Sequence, residues 1–142
     1  MQWTSDVNGG FSKTKPWLPV PASAATHNVA TESADPDSIL NFYKSLLFLR
    51  HHEKALMNEE YIPLDESNLN VLSFLRRQQR EAILVVLNMS GTDQKVALNL
   101  APYGFRAGKR MMVLRSGGTA TAAHGSLINL EPFAVYIEKL MN

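Results

Sequence analysis

Apolar positions along the chain follow two different periods, and the first stretch follows neither. Over residues 35–57, Ile39, Phe42, Tyr43, Leu46, Leu47 and Leu49 recur at three- and four-residue spacing, which predicts an amphipathic helix. Asp35 is placed to cap it, and Pro36 suits its first turn, where a missing N–H costs nothing. Arg50 and Lys54 give it a cationic end that complements the helix dipole. Its apolar face is wide and needs a partner that residues 1–34 do not clearly supply. From Tyr61 onward the period switches. The runs 71–75, 82–87, 95–100, 110–114 and 133–137 are short and rich in β-branched and aromatic residues, and 127–130 is a further candidate. Turn residues at 90–93, 102–104, 116–118 and 124–125 separate them. Short strands at this spacing predict an antiparallel sandwich or barrel. Residues 82–87 are apolar at every position, which predicts a central strand. The charged connection 76–81 is expected to be a hairpin pointing into water.

Residues 1–35 read differently. Gly9, Gly10, Pro16, Pro19 and Pro21, followed by 22–25 (AlaSerAlaAla), leave no room for a regular element. Solvated tails rarely carry aromatics at the density of Trp3, Phe11 and Trp17, so this stretch is expected to be a loop that packs on something. The expected class is therefore a mainly β chain: an N-terminal loop and helix, then an antiparallel β-sandwich C-terminal domain. The expected division is 1–58 and 59–142.

Composition narrows the chemistry. The 142 residues include 14 Lys+Arg, 13 Asp+Glu and no cysteine. Disulfide frameworks, thiolate zinc sites and cysteine nucleophiles are excluded. A net charge of +1 leaves no electrostatic footprint for nucleic acid. An apolar content of 45% argues against global disorder, and no run approaches the roughly 18 apolar residues of a spanning helix, so no membrane partner is expected. The first residues lack a basic segment followed by an apolar one, so the expected compartment is the cytoplasm.

Candidate site residues are few. His51 and His52 are adjacent, about 100° apart on a helix, and cannot easily share a metal; His27 and His124 are isolated. No metal or cofactor is expected. Paired carboxylates need to face one another across a cleft. Glu81 and Asp93 fall at predicted turns, Glu138 near the chain end, and only Glu131, beside Pro132, is ambiguous. Asp6 beside Asn8–Gly9–Gly10 reads first as a turn residue. Gly117–Gly118 reads as a turn, and Arg76, Arg77 and Arg80 as a solvated basic cluster.

Three passages carry a resemblance. Met1–Gln2–Trp3, with Asn8–Gly9–Gly10–Phe11–Ser12 and Trp17–Leu18–Pro19–Val20, resembles the segment that follows the eighth barrel strand in the α-amylase family, glycoside hydrolase family 13. Residues 38–50 resemble its last barrel helix. Residues 71–76 and 84–90 resemble the opening hairpin of its small β domain. The match is best to the α-glucosidase, oligo-1,6-glucosidase and trehalose synthase branch. Thr4 and Gly9 depart from the common Asp or Ser, and Ala, of that pattern.

The resemblance implies a truncated (β/α)8 barrel followed by a β-sandwich. The family's nucleophile Asp, acid/base Glu and third Asp lie on barrel strands four, five and seven, upstream of the Met1–Gln2–Trp3 segment. No catalytic residue is therefore expected in this chain, and Met1 is expected to be internal to a longer polypeptide. In such a parent, acting on α-glucoside oligosaccharides, Gln2 could hydrogen-bond a sugar hydroxyl and Trp3 could stack on a pyranose ring. The partner implied is the missing barrel. Rival readings are a carbohydrate-binding module, which would need an exposed aromatic platform among Tyr61, Phe74, Tyr103, Phe105, Phe133 and Tyr136, and a fragment of an amino-acid transporter heavy chain. Without the barrel, the wide helix face is expected to drive self-association. Light scattering of the chain at moderate concentration should show species above the monomer; a clean monomer would count against this.

Overall fold

The computed structural model describes residues 1–57, 60–105, 109–116, 121–123 and 127–141, with backbone alone for 109–116 and 121–123. The chain divides into two compact units, Met1–Phe48 and Leu49–Asn142.

The first unit is mostly loop, with 3-10 turns at Val7–Gly10 and Ala22–Ala25. It also contains a short helix that the proline and glycine content did not predict, α1 (Val29–Ala34). The predicted long helix is α2 (Ile39–His52), shorter at both ends than 35–57. Asp35 does not cap it. The residue before a proline is pushed into extended conformation. Asp35 accordingly sits at φ −95°, ψ 110° and closes α1 instead. Its carboxylate accepts from the Asp37 amide at 2.9 Å. Ser38 begins α2: its Oγ accepts from the Asn41 amide at 3.2 Å and its carbonyl from Phe42 at 2.9 Å. The same Oγ donates to the Glu32 carbonyl at 2.6 Å, while the Asn41 amide group donates to the carbonyls of Glu32, Ser33 and Asp35. The free carbonyls at the end of α1 are thus met by the side chains of Ser38 and Asn41, and the free amides at the start of α2 by Ser38 Oγ and Glu32 Oε2. At the other end Glu53 turns extended (φ −94°, ψ 107°) and a 3-10 turn, Lys54–Leu56, follows. Ile39, Tyr43, Leu47 and Phe48 remain exposed along α2.

The second unit is an antiparallel two-sheet structure. Strands β1 (Glu60–Leu64), β2 (Val71–Gln78), β3 (Glu81–Asn88), β4 (Gln94–Ala97), β5 (Lys109–Ser116), β6 (Thr121–Ala123), β7 (Leu127–Leu130) and β8 (Val135–Met141) follow in order. The sheets have the orders β1-β2-β3-β8-β5 and β4-β7-β6. β3 is the central strand of the larger sheet, as its unbroken apolar run predicts, and residues 82–86 are all buried. β8 begins later than the predicted 133–137 run, because Phe133 takes a left-handed conformation (φ 56°) in the preceding turn. β4 ends at Ala97, short of the predicted 95–100. β1 and β6 were not predicted. β1 contains Pro63, which weakens a strand signal and is tolerated at the sheet edge where β1 lies. The hairpin at 76–81 is nearly all strand, leaving Gln79–Arg80 as its turn.

Register sorts the side chains of the large sheet. Leu75, Leu84, Val86, Tyr136 and Leu140 face the small sheet and form the core with Val96, Ile128, Leu130 and Phe105. On the opposite face, cross-strand rows run Tyr61–Arg76–Ile83–Lys139 and Pro63–Phe74–Val85–Ile137. Ile83, Val85 and Ile137 are buried there as well. The Lys54–Leu56 turn packs on β2 and β3, and Ala55 is buried. Lys139 Nζ donates to Glu53 Oε2 at 2.9 Å and lies 3.3 Å from Glu81 Oε2. The hydrogen bond to Glu53 holds the Lys139 ammonium above its ordinary value of 10.5, against the opposing effect of burial.

Asn88 fastens the sheets at their shared end. Its buried amide donates to the Thr92 carbonyl at 2.7 Å and the Glu131 carbonyl at 2.8 Å, and its Oδ1 accepts from the Ser90 amide at 2.9 Å. Asn88→Ala strands these partners and should cost about 2–3 kcal/mol. Urea unfolding should then show a midpoint lower by about 1 M; an unchanged midpoint would show that water replaces the amide.

Candidate functional site

The first unit fixes Gln2 and Trp3 through their backbone. The Trp3 and Thr4 amides both donate to the Gly9 carbonyl, at 2.8 and 3.2 Å, and the Gly9 amide donates to the Asp6 carbonyl at 2.9 Å. On the other side, the Val29 and Ala30 amides donate to the carbonyls of Gln2 and Trp3, at 3.1 and 2.9 Å. These are the first amides of α1, which have no partner within the helix. The next, Thr31, is served by Asn28 Oδ1 at 2.9 Å, and the Asn28 Nδ2 donates to the Ala24 carbonyl at 3.0 Å. Asn28 is buried and locks α1 to the preceding turn. The sequence signal for it was an Asn followed by a short run with Glu32 in its first turn, the pattern of an N-cap.

The loop that reaches Trp3 depends on left-handed backbone. Asn8, Gly9 and Gly10 take φ of 59°, 68° and 71° in succession. Glycine adopts this region without a Cβ penalty, and asparagine tolerates it better than most side chains. Gly9 is buried against Gln2, and a Cβ there would meet Gln2 Cα at 3.4 Å. A Cβ on Gly10 would run into the Thr4 hydroxyl. That hydroxyl donates to Asp6 Oδ2 at 2.8 Å, so Asp6 is a turn residue as its neighbours suggest.

Gln2 lines a cleft of about 320 Å³ with Asn8, Phe11, Trp17 and Pro19, while Trp3 is not among its lining residues. Trp3 is half exposed and Trp17 is 91% exposed. Among the described residues no carboxylate, imidazole or side-chain ammonium group lines this cleft. It can hold a ligand by apolar contact and amide hydrogen bonds, and offers nothing for acid–base chemistry.

The other candidates lie apart. His27 pairs with its neighbour Thr26, Nδ1 to Oγ1 at 2.8 Å, and His51 and His52 are exposed at the end of α2. Among the described residues no group of three or more His, Asp or Glu could hold a metal ion. His124 and Gly117–Gly118 lie outside the described residues. Glu81 engages Lys139, and Asp93 is exposed. Glu138, near the chain end, is buried in β8, on the side facing the core. The arginines do not form one solvated patch. Arg76 and Arg77 point to opposite faces of β2; Arg77 binds Glu60 in β1, Nη2 to Oε2 at 2.6 Å, and Arg76 is half-buried. Of the aromatics proposed for a sugar platform, Phe105 and Tyr136 are buried, and the Tyr61 and Phe74 rings, 5.1 Å apart, are tilted by 37°.

Gly10→Ala should open the loop, raising tryptic cleavage after Lys13 about tenfold for a strain of ~1–2 kcal/mol. Adding Thr4→Ala removes the side-chain clash but not the backbone strain, and should restore only part of the protection. Unchanged cleavage would show that the loop is held by other contacts.

A family model described as the catalytic domain of alpha amylase matches residues 1–59, and one described as the C-terminal domain of maltogenic amylase matches 61–137. A probable oligo-1,6-glucosidase of Bacillus subtilis (strain 168) is 36% identical over 90 residues, 63% of this chain and 16% of that protein. The crystal structure of the trehalulose synthase from Pseudomonas mesoacidophila MX-45 aligns with a TM-score of 0.84 at 33% identity, covering 98% of this chain and 24% of the other. The trehalose-6-phosphate hydrolase of Bacillus licheniformis shares the fold at a TM-score of 0.86 and 24% identity, over 99% of this chain and 25% of its own. The chain thus spans at most about a quarter of these relatives, in which the matching region sits with a catalytic barrel domain. The order of the two matched domains, and their meeting near residue 60, identify this chain as a member of the α-amylase family, glycoside hydrolase family 13, carrying the end of its catalytic domain and its C-terminal domain.

Proposed function

We propose that this chain is the C-terminal portion of an enzyme that hydrolyses or transfers α-glucosyl units by the retaining route. The reactive carboxylates belong to the rest of that polypeptide, one as nucleophile and one as acid/base. Residues 1–58 complete the barrel and residues 59–142 cover one side of it. The observation that carries this reading is the match of residues 1–59 to the end of a catalytic domain, with the Gln2–Trp3 main chain held on both sides by hydrogen bonds and no titratable side chain among the described residues lining the cleft beside Gln2. Such a segment can position and contact a substrate but cannot turn it over. The names of the relatives, an oligo-1,6-glucosidase and a trehalulose synthase among them, support an α-glucoside as that substrate. In the parent, the Gln2 amide meets a sugar hydroxyl and Trp3 stacks on a pyranose ring.

The chain alone, incubated with a chromogenic α-glucoside, should release no product above blank, and clear turnover would overturn the reading. In the full enzyme, Trp3→Ala and Gln2→Ala should raise KM several-fold with little change in melting temperature. A fall in melting temperature at constant KM would instead make Trp3 a wedge that holds the loop in place.

A further inference from the structure

The residues that shape the N-terminal loop also make it chemically fragile. Asn8 and Gly9 form the one Asn–Gly dipeptide of the sequence. In such a pair the glycine nitrogen can attack the side-chain carbonyl carbon of the asparagine. No Cβ obstructs closure of the five-membered ring, and the glycine backbone turns freely. The turn selects this pair. Both residues are left-handed, at φ 59° and 68°, a region that glycine enters freely and asparagine tolerates better than most. The same turn disarms the reaction in three ways. The ψ of 27° at Asn8 carries the Gly9 nitrogen to the side opposite the Asn8 Cβ. The Gly9 N–H, which must lose its proton to attack, is buried and donates to the Asp6 carbonyl at 2.9 Å. The Asn8 Nδ2, the leaving group, donates to the Ser12 carbonyl at 3.1 Å, which holds the side chain in place.

We propose that Asn8 is a conformation-gated deamidation site, dormant while the loop is closed and consumed when it opens. In the open loop the Gly9 nitrogen bonds to Asn8 Cγ. The side-chain amide takes up the Gly9 proton and leaves as ammonia, and a cyclic imide remains. Water then opens the imide. Attack at Cγ breaks the new bond and yields aspartate; attack at the main-chain carbonyl breaks the original peptide bond and yields isoaspartate. No oxidant or reductant enters. Either product bars the return. A carboxylate at position 8 cannot donate to the Ser12 carbonyl and faces it with negative charge. Isoaspartate adds a methylene to the main chain and displaces the Gly9 carbonyl that holds the Trp3 and Thr4 amides. Asn8 lines the same cleft as Gln2, so the product also brings a negative charge to a cleft whose described lining has no titratable side chain. The loop thus records its own opening. This inference goes beyond the proposed parent enzyme and does not depend on it.

The test is peptide mapping by mass spectrometry of the chain kept at mildly alkaline pH, beside a synthetic peptide of residues 1–13. Asn8 should convert at least about tenfold more slowly in the folded chain than in the peptide. Gly10→Ala strains the turn and should speed conversion about tenfold over wild type, in step with tryptic cleavage after Lys13. Asn8→Asp reproduces one product without the reaction and should raise that cleavage several-fold. Equal conversion in the folded chain and the peptide, or none in the peptide, would overturn the proposal. So would conversion that stays flat while cleavage after Lys13 rises, in Gly10→Ala or in graded urea, and so would an Asn8→Asp chain cleaved no faster than wild type. The urea series, run on wild type, reads the gate whether or not Gly10→Ala folds.

Discussion

A strand that is apolar on both faces cannot lie at a surface, and β3 imposes that condition on everything around it. Its alternate residues feed two separate layers: Ala82, Leu84 and Val86 point into the sandwich, and Ile83 and Val85 point away from it. The smaller sheet meets the first demand. The second demand is met in part by polypeptide from the matched end of the catalytic domain, in the Lys54–Leu56 turn. Burial of each large aliphatic side chain is worth about 1.5–3 kcal/mol, so the cover on the second face is no ornament. The large sheet is a middle layer, and the Glu53–Lys139 ion pair, with both partners largely shielded, fastens that layer from outside.

The loop of the first unit solves a different problem. It has no sheet or long helix of its own, so its order comes from matching orphan backbone groups. The carbonyls of Gln2 and Trp3 serve the start of α1, while the end of α1 is served by Ser38 and Asn41 of the next helix. Each short piece finishes the hydrogen bonding of another. The left-handed run Asn8–Gly9–Gly10 makes the turn that brings the Gly9 carbonyl back to Trp3. The main chain of Gln2 and Trp3 is in this way held on both sides by hydrogen bonds that do not involve their side chains.

Legibility in the sequence followed the strength of local signals. Residues 82–87 announced a central strand because no polar residue interrupts them, and Asn8–Gly9–Gly10 announced a turn. The existence of α2 was plain from its period, but its start was not. Asp35–Pro36 satisfies the usual cap pattern, and only the tertiary link from Ser38 to α1 decides between the two candidates. α1 was hidden because its six residues have no apolar stripe and depend on Asn28 and on distant carbonyls. The burial of Glu138 was not legible, because chain position says little about burial when the last strand is an inner one. Gln2 and Trp3 were visible only through the family pattern. Composition marked Trp3 only as one of the loop's aromatics and did not mark Gln2, since amide and indole groups carry no charge to perturb.

Pro63 gives the fold a property beyond its own stability. It sits in β1, the outermost strand of the larger sheet, paired in register with Phe74. An open sheet edge is a template on which foreign strands can polymerise, and a proline there withholds a donor that a newcomer would need. The exposed Tyr61 in this strand can therefore meet a neighbour by side-chain contact without the edge seeding fibrillar growth.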